Sequence, residues 1–393
     1  MNNIDELLTR GVANIIPGKE ELKKLLESGK KLNVYLGIDP TSTKIHLGHA
    51  VPLRKLQKLA ELGHNVTFLI GDFTALIGDT SDKDSERPIL TSEEIEENFK
   101  TYKKQAEKIL DFSKITVRKN SDWLSKLGYK EVIELTRKFS LNDFISRELI
   151  RKRLNEGKRV RLDETNYPLM QGYDSYFMDT DLQIGGTDQI FNMQAGRTLQ
   201  KDLRHKESYV LATTFLEGTD GRKMSKSWGN AIWLDDKPND MYAKVMAVVD
   251  NLIINYFTLA TNLPMDKVGE YEKKLKNGEN PINIKKDLAR QIVKELHSEH
   301  AADEAQKVFE KTVQNKELPE EIQPLKINVS DNLTVSDVLV VQKVVQSHSE
   351  VKRLVEQKGI SIDDKVIPDP NVKPKKGQIL RIGKRKVFRV ETE

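Results

Sequence analysis

Residues 31–49 read KLNVYLGIDPTSTKIHLGH, and the architecture of the chain can be worked out from this stretch. Apolar residues alternate with others over 31–39, which predicts a β-strand that Pro40 ends. Apolar residues then recur at mostly helical spacing, which predicts a helix over about 46–62. The continuous apolar run VTFLI at 66–70 predicts a second strand, of the kind that is buried in a parallel sheet.

A second helix is predicted to begin at the capping box Thr91-Ser92-Glu93-Glu94, because an apolar stripe at helical spacing follows it. Strand, helix, strand and helix in succession predict an α/β fold with a Rossmann-type doubly wound parallel sheet. Ligands bind such sheets beyond the carboxyl ends of the strands, so residues 39–49 are expected to lie at a binding site.

Length and composition are those of an ordinary globular protein. The 393 residues are enough for two or three domains, and 37% of them are hydrophobic and 32% charged. The chain has no cysteine, which excludes disulfides and thiolate zinc sites. No apolar run is long enough to span a bilayer, and no secretory signal is visible at the start. We therefore expect a cytoplasmic protein with no membrane partner.

The pattern along the chain predicts four successive segments. Prolines and weak periodicity mark one of them as a linker, and basic residues gather in the last segment. The predicted boundaries are 1–220 for a catalytic domain with an insertion around 123–158, 221–316 for a mostly α-helical domain, 317–332 for the linker, and 333–393 for a small α+β module.

The histidine pair in the opening stretch suits an anionic ligand. His46 and His49 are three residues apart and share one face of the predicted helix. The start of that helix supplies free N–H groups and a positive dipole end, and Gly48 lets a nucleotide approach the backbone. A surface pair and half of a metal site are the alternatives. No HExxH helix and no cysteine cluster supports a metal, so no metal ligands are predicted.

A second candidate site is the loop EGTDGRKMSKS at 217–227. Its two glycines permit movement, and Lys223 and Lys226 can reach the charge of a leaving pyrophosphate. Flexible arms that close over a substrate are common gating devices. The alternative is a solvated basic loop.

Together, the two motifs resemble the "HIGH" and "KMSKS" signatures of the class I aminoacyl-tRNA synthetases. The first differs by one conservative change, at Leu47, and the second matches in full. This resemblance implies a Rossmann-type catalytic domain that activates an amino acid with ATP and then esterifies a tRNA. Magnesium is implied only as the partner of ATP.

Two further stretches resemble the bacterial tyrosyl group within that class. The stretch YPLMQGYD at 167–174 is similar to its tyrosine-binding signature, and LQIGGTDQ at 182–189 is similar to the segment that follows. The similarity extends over nearly the whole chain. It implies activation of L-tyrosine to tyrosyl-adenylate and transfer to tRNA(Tyr), with release of AMP and diphosphate.

The resemblance also implies roles for individual residues. Those expected to bind tyrosine are Tyr35, Asp79, Tyr167, Gln171, Asp174 and Gln189. Those expected to bind ATP are Asp39, His46, Gly48, His49, Gly186, Asp188 and Lys226. Those expected to act in catalysis are Thr41, His46, His49, Lys83, Arg87, Lys223 and Lys226. Because the substrate carboxylate is already ionised, catalysis is expected to depend on positioning and charge stabilisation rather than on a general base.

The last segment resembles an S4 RNA-binding domain. The similarity is carried by SEVKRLV at 349–355 and GKRK at 383–386, and basic residues bind RNA phosphates through charge. The expected RNA-binding residues are Lys352, Arg353, Lys384, Arg385 and Lys386. In the family, the α-helical domain binds the anticodon and the insertion around 123–158 forms a homodimer interface, although core packing would explain the apolar residues of this insertion equally well.

Three alternatives stay open from the sequence. A tryptophanyl-tRNA synthetase is the nearest relative in fold, but the S4-like tail and the signature at 167–174 argue against it. A synthetase-like RNA-binding protein without catalysis would be expected to have an eroded motif, and none is eroded here. A small nucleotidyltransferase with a HxGH helix would usually be shorter and lack the RNA module.

Overall fold

The computed structural model describes residues 3–79, 90–225, 228–314, 322–327, 333–383 and 386–392. The chain divides into two compact units. The first comprises 1–237 and 244–298, and the second comprises 238–243 and 299–393. Each unit is described by itself below.

A six-stranded sheet forms the centre of the first unit. Its strands are β1 (Val12–Ile16), β2 (Asn33–Ile38), β3 (Asn65–Ile70), β4 (Ile115–Lys119), β5 (Leu182–Gly186) and β6 (Tyr209–Thr213). Their spatial order is β1-β6-β5-β2-β3-β4. Strands β2 to β6 run parallel, and β1 is an antiparallel edge strand. The predicted doubly wound parallel sheet is therefore confirmed.

Helices connect and cover these strands. They are α1 (Asn3–Leu7), α2 (Lys19–Glu27), α3 (Leu47–Glu61), α4 (Ser92–Ala106), α5 (Ser121–Leu124), α6 (Tyr129–Thr136), α7 (Leu141–Ile145), α8 (Glu148–Asn155), α9 (Tyr167–Phe177), α10 (Ile190–Arg204), α11 (Pro238–Met246), α12 (Ile253–Ala260), α13 (Met265–Lys276) and α14 (Pro281–Leu296). Helix α11 begins in the second unit and ends in the first.

Helix α3 carries the histidine pair, and its two ends explain its limits. His46 is the N-cap residue in extended backbone, so the helix begins one residue later than the predicted start. At the other end, Gly63 has a φ of +86°, which a residue with a side chain rarely adopts. One face of α3 packs into the core through residues such as Leu53, Leu56 and Leu59.

Helices α12 to α14 join the first unit, which differs from the predicted domain boundary after residue 220. The physical reason is a polar attachment to the end of α12. The Arg10 guanidinium donates to the carbonyl oxygens of Phe257, Thr258 and Thr261, and Arg54 of α3 donates to that of Ala260. These side chains supply partners for carbonyls that the helix itself leaves open.

A five-stranded sheet forms the second unit together with its helices. The strands are β7 (Gln323–Ile327), β8 (Ile360–Ile362), β9 (Lys365–Val366), β10 (Ile379–Ile382) and β11 (Lys386–Thr392), in the spatial order β7-β11-β10-β8-β9. The helices are α15 (Glu299–Phe309), α16 (Val335–Val341) and α17 (His348–Glu356). Strand β7 pairs with β11 in parallel, and the other pairs are antiparallel.

The prediction of a linker over 317–332 is wrong for the five residues of β7. Leu325 is 2% exposed and packs in the same core as Val335, Val351 and Phe388. The strand escaped prediction because it is short and contains Pro324, a residue that sheets tolerate at their edges. In the same unit, Ser347 caps α17, since its side chain accepts a hydrogen bond from the Glu350 N–H.

Among the described residues, no single helix has the length and apolar character needed to cross a membrane. Helix α11 and the segment Asp250–Ala260 pass that test only when they are taken together as a bent pair.

Candidate active site

A cavity of about 860 Å³ opens at the carboxyl edge of the six-stranded sheet. Strands β2 and β5 are neighbours there although the described helices α3 to α9 and the strands β3 and β4 separate them in sequence, so the cavity lies at a switch point of the doubly wound sheet. As far as they are described, the residues predicted to bind tyrosine or ATP or to act in catalysis all line it. They are Tyr35, Asp39, Thr41, His46, Gly48, His49, Asp79, Tyr167, Gln171, Asp174, Gly186, Asp188, Gln189 and Lys223.

The remaining predicted residues fall into two groups. Lys83, Arg87, Lys226, Lys384 and Arg385 lie outside the described residues. Lys352 and Arg353 are exposed on α17, and Lys386 is the first residue of β11.

A tyrosine at one end of the cavity is held by buried amides. Tyr35 on β2 is 3% exposed, and its hydroxyl donates to Oε1 of Gln183 over 3.0 Å. The Gln183 amide nitrogen in turn donates to the backbone oxygen of Met193 over 2.9 Å. This chain of hydrogen bonds fixes the direction of the Tyr35 hydroxyl at the floor of the cavity.

A buried carboxylate lies in the same region. Asp174 on α9 is 2% exposed and accepts hydrogen bonds from the Trp123 indole nitrogen over 2.7 Å and from the Asn120 amide over 3.2 Å. Burial raises the pKa of Asp174 to about 7, against the lowering effect of these two donors. Burial, and then the charge of Asp174, raises the pKa of Tyr35 well above its ordinary value. The pair offers a hydroxyl and a carboxylate to a polar group of a ligand.

A second carboxylate, Asp79, lies farther along the cavity wall. Its Oδ2 accepts from the Gln189 amide over 2.6 Å and from the Asn192 amide over 3.4 Å. The Arg147 guanidinium approaches its Oδ1 at 3.9 Å. A carboxylate with two amide neighbours suits a ligand ammonium group.

Asp39, a third carboxylate, links residues that were predicted to serve different ligands. Its Oδ2 accepts from the Tyr167 hydroxyl over 2.8 Å, and its Oδ1 accepts from the Thr74 hydroxyl over the same distance. Tyr167 was predicted to bind tyrosine and Asp39 to bind ATP. The structure therefore places the two predicted subsites in direct contact.

The two histidines stack on each other at the start of α3. Their ring centroids are 3.8 Å apart. The backbone N–H of His46 donates a hydrogen bond to Nδ1 of the His49 ring over 3.3 Å. The Nδ1 atom of His46 is buried and has no hydrogen-bond partner among the described residues. Burial, followed by the charges of His49 and Lys223, lowers the pKa of His46 to about 2, so this ring is neutral at pH 7. It serves as a hydrogen-bonding group rather than as a cation.

Glycine is required between the histidines. A Cβ atom at Gly48 would lie 2.9 Å from Nδ1 of His46, which is closer than real contacts allow. Any side chain at this position would push the His46 ring out of place.

The described part of the lysine loop also lines the cavity. Lys223 pairs with Glu217 through an antiparallel β-bridge, and its ammonium lies 5.7 Å from the centroid of the Phe215 ring. Met224 is buried, whereas the exposed Trp228 stacks against the Arg222 guanidinium at 4.5 Å. Lys223 therefore adds positive charge to the cavity lining.

The charges thus divide the cavity into two ends. Asp174 and Asp79 suit a molecule with a hydroxyl at one end and an ammonium nearer the centre. The histidines, the positive dipole end at the start of α3 and the charge of Lys223 suit phosphates. Among the described residues, no three histidine, aspartate or glutamate side chains gather in a geometry that would hold a metal ion.

Several lining residues were missed from the sequence. Asn120 directly follows β4, so the rule that ligands bind beyond strand ends would have indicated it. Gln183 is a polar residue inside a buried strand, which is itself a signal. Trp123, Asn192 and Arg147 do not line the cavity but contact its carboxylates Asp174 and Asp79, and they lie on helices or helix junctions that carry no local signal of these contacts.

Comparison with known proteins agrees with this geometry. The model of the family described as "tRNA synthetases class I (W and Y)" matches residues 27–314. The tyrosine–tRNA ligase of Dehalococcoides mccartyi is 41% identical over 387 residues, which covers 98% of each chain. That of Thermotoga maritima is 42% identical over 389 residues and covers 98% of this chain and 96% of the relative.

Solved structures give the same result. The tyrosyl-tRNA synthetase of Archaeoglobus fulgidus, solved with L-tyrosine, is 26% identical, with a TM-score of 0.61, over 78% of this chain and 100% of that one. The chain therefore belongs to the class I tRNA synthetases of the tryptophan and tyrosine group, and within that group to the bacterial-type tyrosine–tRNA ligases.

Proposed function

We propose that this cavity is where the chain activates L-tyrosine with ATP before transferring it to tRNA(Tyr). The single observation that supports the assignment is the meeting, in one cavity, of the pocket around Tyr35 and Asp174 with the histidine pair and Lys223. The first end suits a phenol and the second suits a triphosphate. The family membership of the chain supports the same reaction.

Tyrosine is proposed to bind with its phenolic hydroxyl between Tyr35 and Asp174. A hydroxyl can donate to the carboxylate of Asp174 and contact the hydroxyl of Tyr35 at the same time. Phenylalanine would leave both buried groups without that partner, and sites of this kind reject the analogue that lacks the hydroxyl. Tyrosyl-tRNA synthetases are themselves the standard example of this rule.

The substrate ammonium is proposed to bind at Asp79, Tyr167 and Gln171, with Gln189 beside them. The carboxylate of Asp79 supplies the opposite charge, and Gln189 already contacts it over 2.6 Å. Arg147 lies on the far side of Asp79 and adds a competing positive charge. We propose that it orients the Asp79 carboxylate.

In the first step, an oxygen of the tyrosine carboxylate is proposed to attack the α-phosphorus of ATP. A new bond forms between the carboxylate oxygen and the α-phosphorus. The bond between the α-phosphorus and the oxygen that bridges it to the β-phosphate breaks, and diphosphate leaves. The nucleophile is already ionised, so the residues act by orienting the reactants and by stabilising charge. The proposed catalytic group is Thr41, His46, His49, Lys83, Arg87, Lys223 and Lys226.

The neutral His46 ring is proposed to donate one hydrogen bond to a phosphate oxygen. A neutral imidazole has one N–H donor, and Nδ1 of His46 has no partner in the described structure. Asp39, Gly48, His49, Gly186, Asp188 and Lys226 are proposed to hold the nucleotide. ATP is proposed to bring its own Mg²⁺, because this ion usually keeps several waters and binds mainly through substrate phosphates.

In the second step, a terminal ribose hydroxyl of tRNA(Tyr) is proposed to attack the carbonyl carbon of tyrosyl-adenylate. An ester forms, AMP leaves, and the hydroxyl proton is lost. The S4-like module over 333–393 is proposed to bind the tRNA through Lys352, Arg353, Lys384, Arg385 and Lys386. The helical region over 221–316 is proposed to bind the anticodon.

The chain is proposed to act as a homodimer through the insertion around 123–158. Leu135 and Phe144 of this insertion are buried, but Tyr129 is 81% exposed and Leu141 is 63% exposed. Large apolar side chains exposed close together in sequence favour a partner surface over simple core packing. A cytoplasmic location is proposed because translation consumes the product there.

The proposed reaction is tested by exchange of labelled pyrophosphate into ATP, with tyrosine, with tryptophan and without an amino acid. We expect exchange only with tyrosine, followed by charging of tRNA(Tyr). Exchange with tryptophan would instead indicate that the chain activates tryptophan, the other amino acid used within this family. Exchange without an amino acid would indicate a different nucleotidyltransferase, and no exchange in any mixture would indicate a protein without catalysis.

A further inference from the structure

Asn230 connects the lysine loop with the segment that holds His46. The residue is 3% exposed and lies three residues after the end of the loop. Its side chain and its backbone both make hydrogen bonds within the loop, and the residues that follow it pair with the start of α3. Asn230 is not among the residues to which a role in binding or catalysis is assigned above.

The Asn230 carboxamide binds the loop at three points. Its Oδ1 accepts from the Ser225 N–H over 2.9 Å. Its Nδ2 donates to Oδ1 of Asp220 over 2.7 Å and to the backbone oxygen of Lys223 over 3.1 Å. Both sides of the loop are thereby attached to a single side chain.

The backbone of Asn230 is also bonded to the base of the loop. The Thr219 N–H donates to the Asn230 carbonyl over 3.1 Å. A Cβ atom at Gly218 would lie only 2.3 Å from Nδ2 of Asn230, so the base of the loop packs directly on the carboxamide. Gly221 has a φ of +83° and makes the turn between Gly218 and Arg222.

The residues after Asn230 pair with the histidine motif. Ile45 and Leu47 exchange backbone hydrogen bonds with Leu234 and Ile232, each over 2.9 Å. These bonds form the antiparallel bridge between His46 and Trp233. The histidine and lysine motifs are therefore attached to opposite sides of Asn230, which lies three residues before Trp233.

The far side of the loop is attached to α12. The Tyr256 hydroxyl donates to the Glu217 carbonyl, and the Asn255 amide donates to the Glu217 carboxylate, each over 2.7 Å. The base of the loop is therefore fixed by α12 and by the α3 pairing. Between these fixed points, the Asn230 carboxamide holds both sides of residues 220–225, and the Asp220 carboxylate that it contacts also accepts from Arg222.

We infer that Asn230 is a positioning residue for the adenylation step, which holds Lys223 at the phosphate end of the cavity in a fixed relation to His46. The inference rests on the proposed function, because it concerns the same reaction. Asn230 itself does not contact the phenol end of the cavity. Its loss should slow the reaction of bound substrates and leave tyrosine binding unchanged.

The first test is Asn230→Ala, assayed by tyrosine-dependent pyrophosphate exchange. We expect kcat to fall by about 10- to 100-fold, the range that loss of a charge-assisted hydrogen bond produces. The KM for tyrosine should stay within about twofold, as for a group whose effect is confined to the transition state. A kcat equal to that of the unchanged chain, or a parallel rise in the tyrosine KM, would refute the inference.

The second test uses the hydrogen bond to Asp220. In Asn230→Asp, two carboxylates would face each other across the present 2.7 Å contact, so we expect a kcat at least as low as that of Asn230→Ala. Adding Asp220→Asn restores a donor opposite a carboxylate, and we expect the double variant to regain about tenfold in kcat. Asp220→Asn alone should have a small effect, because its amide oxygen can still accept from Asn230.

Asn33→Ala is the matched control. Asn33 is another asparagine whose amide donates to a backbone oxygen, that of Asp179, but it is only partly buried and lies at the amino end of β2, outside the lining of the cavity. We expect its kcat to be unchanged. A double variant no better than Asn230→Asp would refute the positioning role, and this comparison remains decisive if Asn230→Ala does not fold. If the unchanged chain itself gives no tyrosine-dependent exchange, the proposed function fails instead.

Discussion

The indole nitrogen of Trp123 donates to Oδ1 of Asp174 over 2.7 Å, and both residues are buried. This contact joins the beginning of the insertion at 123–158 to the proposed phenol end of the cavity. Asn120 donates to the other carboxylate oxygen over 3.2 Å. The direction of the Asp174 carboxylate is therefore set by residues that precede the insertion or begin it.

Replacing Trp123 with phenylalanine should weaken tyrosine binding. The substitution keeps an aromatic ring but removes the N–H donor, so the carboxylate loses a charge-assisted hydrogen bond. We expect the KM for tyrosine in pyrophosphate exchange to rise about tenfold, corresponding to roughly 1.4 kcal/mol. The KM for ATP should change little, and an equal rise in both constants would contradict the assignment of this end to tyrosine.

Tyrosine binding should also depend on pH through Asp174. Burial raises the pKa of this carboxyl to about 7, and the ionised form is the better acceptor for a phenolic hydroxyl. We expect the KM for tyrosine to fall as the pH rises from 6 to 8. Asp174→Asn should bind tyrosine more weakly and lose this dependence. A KM for tyrosine that is independent of pH in the unchanged chain would contradict the prediction.

The same pKa has a consequence for stability. A carboxyl whose pKa is higher in the folded chain than in the unfolded chain binds more protons when folded between about pH 4 and pH 7. The stabilisation is complete below pH 4 and is lost as the pH rises to about 7. The free energy of unfolding of Asp174→Asn, relative to the unchanged chain, should therefore increase with pH over this window when it is measured by urea titration.

The sheet and the position of the site could be predicted because their signals are local. Alternation over 31–39 and the apolar run at 66–70 correspond to β2 and β3, and the site lies at the strand ends as the fold requires. The hydrogen bonds that orient the site could not be predicted. Trp123 and Asp174 are 51 residues apart, and only the completed fold brings them together.

Strand β7 could not be predicted from the sequence for a similar reason. It pairs with β11, more than 60 residues later, so no turn or hairpin pattern connects the two strands in sequence. Its proline fits because β7 is the edge strand of its sheet. The inclusion of α12 in the first unit could not be predicted either, because the contacts of Arg10 and Arg54 with the end of α12 depend on side chains far away in sequence.

Lys55, on the buried face of α3, should make stability depend on pH in the opposite direction. Its side chain is almost fully buried, and its ammonium donates to the Leu7 carbonyl over 2.5 Å. Burial, followed by the charge of Arg10, lowers its pKa to about 7. Between pH 7 and about 10 the unfolded chain binds more protons at this residue, so stability rises with pH there.

The comparison of Lys55→Met with the unchanged chain isolates this effect. We expect the unchanged chain to gain stability relative to the variant between pH 6.5 and pH 9, measured by urea unfolding at each pH. Lys58→Met, three residues along the same helix but more exposed, should not show this change. A difference that is the same at both pH values would mean that the Lys55 amine titrates normally.

Removal of residues 315–393 should separate the two steps of the reaction. All the cavity residues lie in the first unit, so tyrosine-dependent pyrophosphate exchange should stay within about threefold, whereas charging of tRNA(Tyr) should fall strongly and lose much of its salt dependence. Truncation after residue 332 is the informative contrast. It leaves β7 without its partner β11 and exposes an unpaired strand edge, so this shorter deletion should aggregate more readily in light scattering. If exchange disappeared in a folded 1–314 chain, the catalytic step would depend on the second unit and the division of labour proposed here would be wrong.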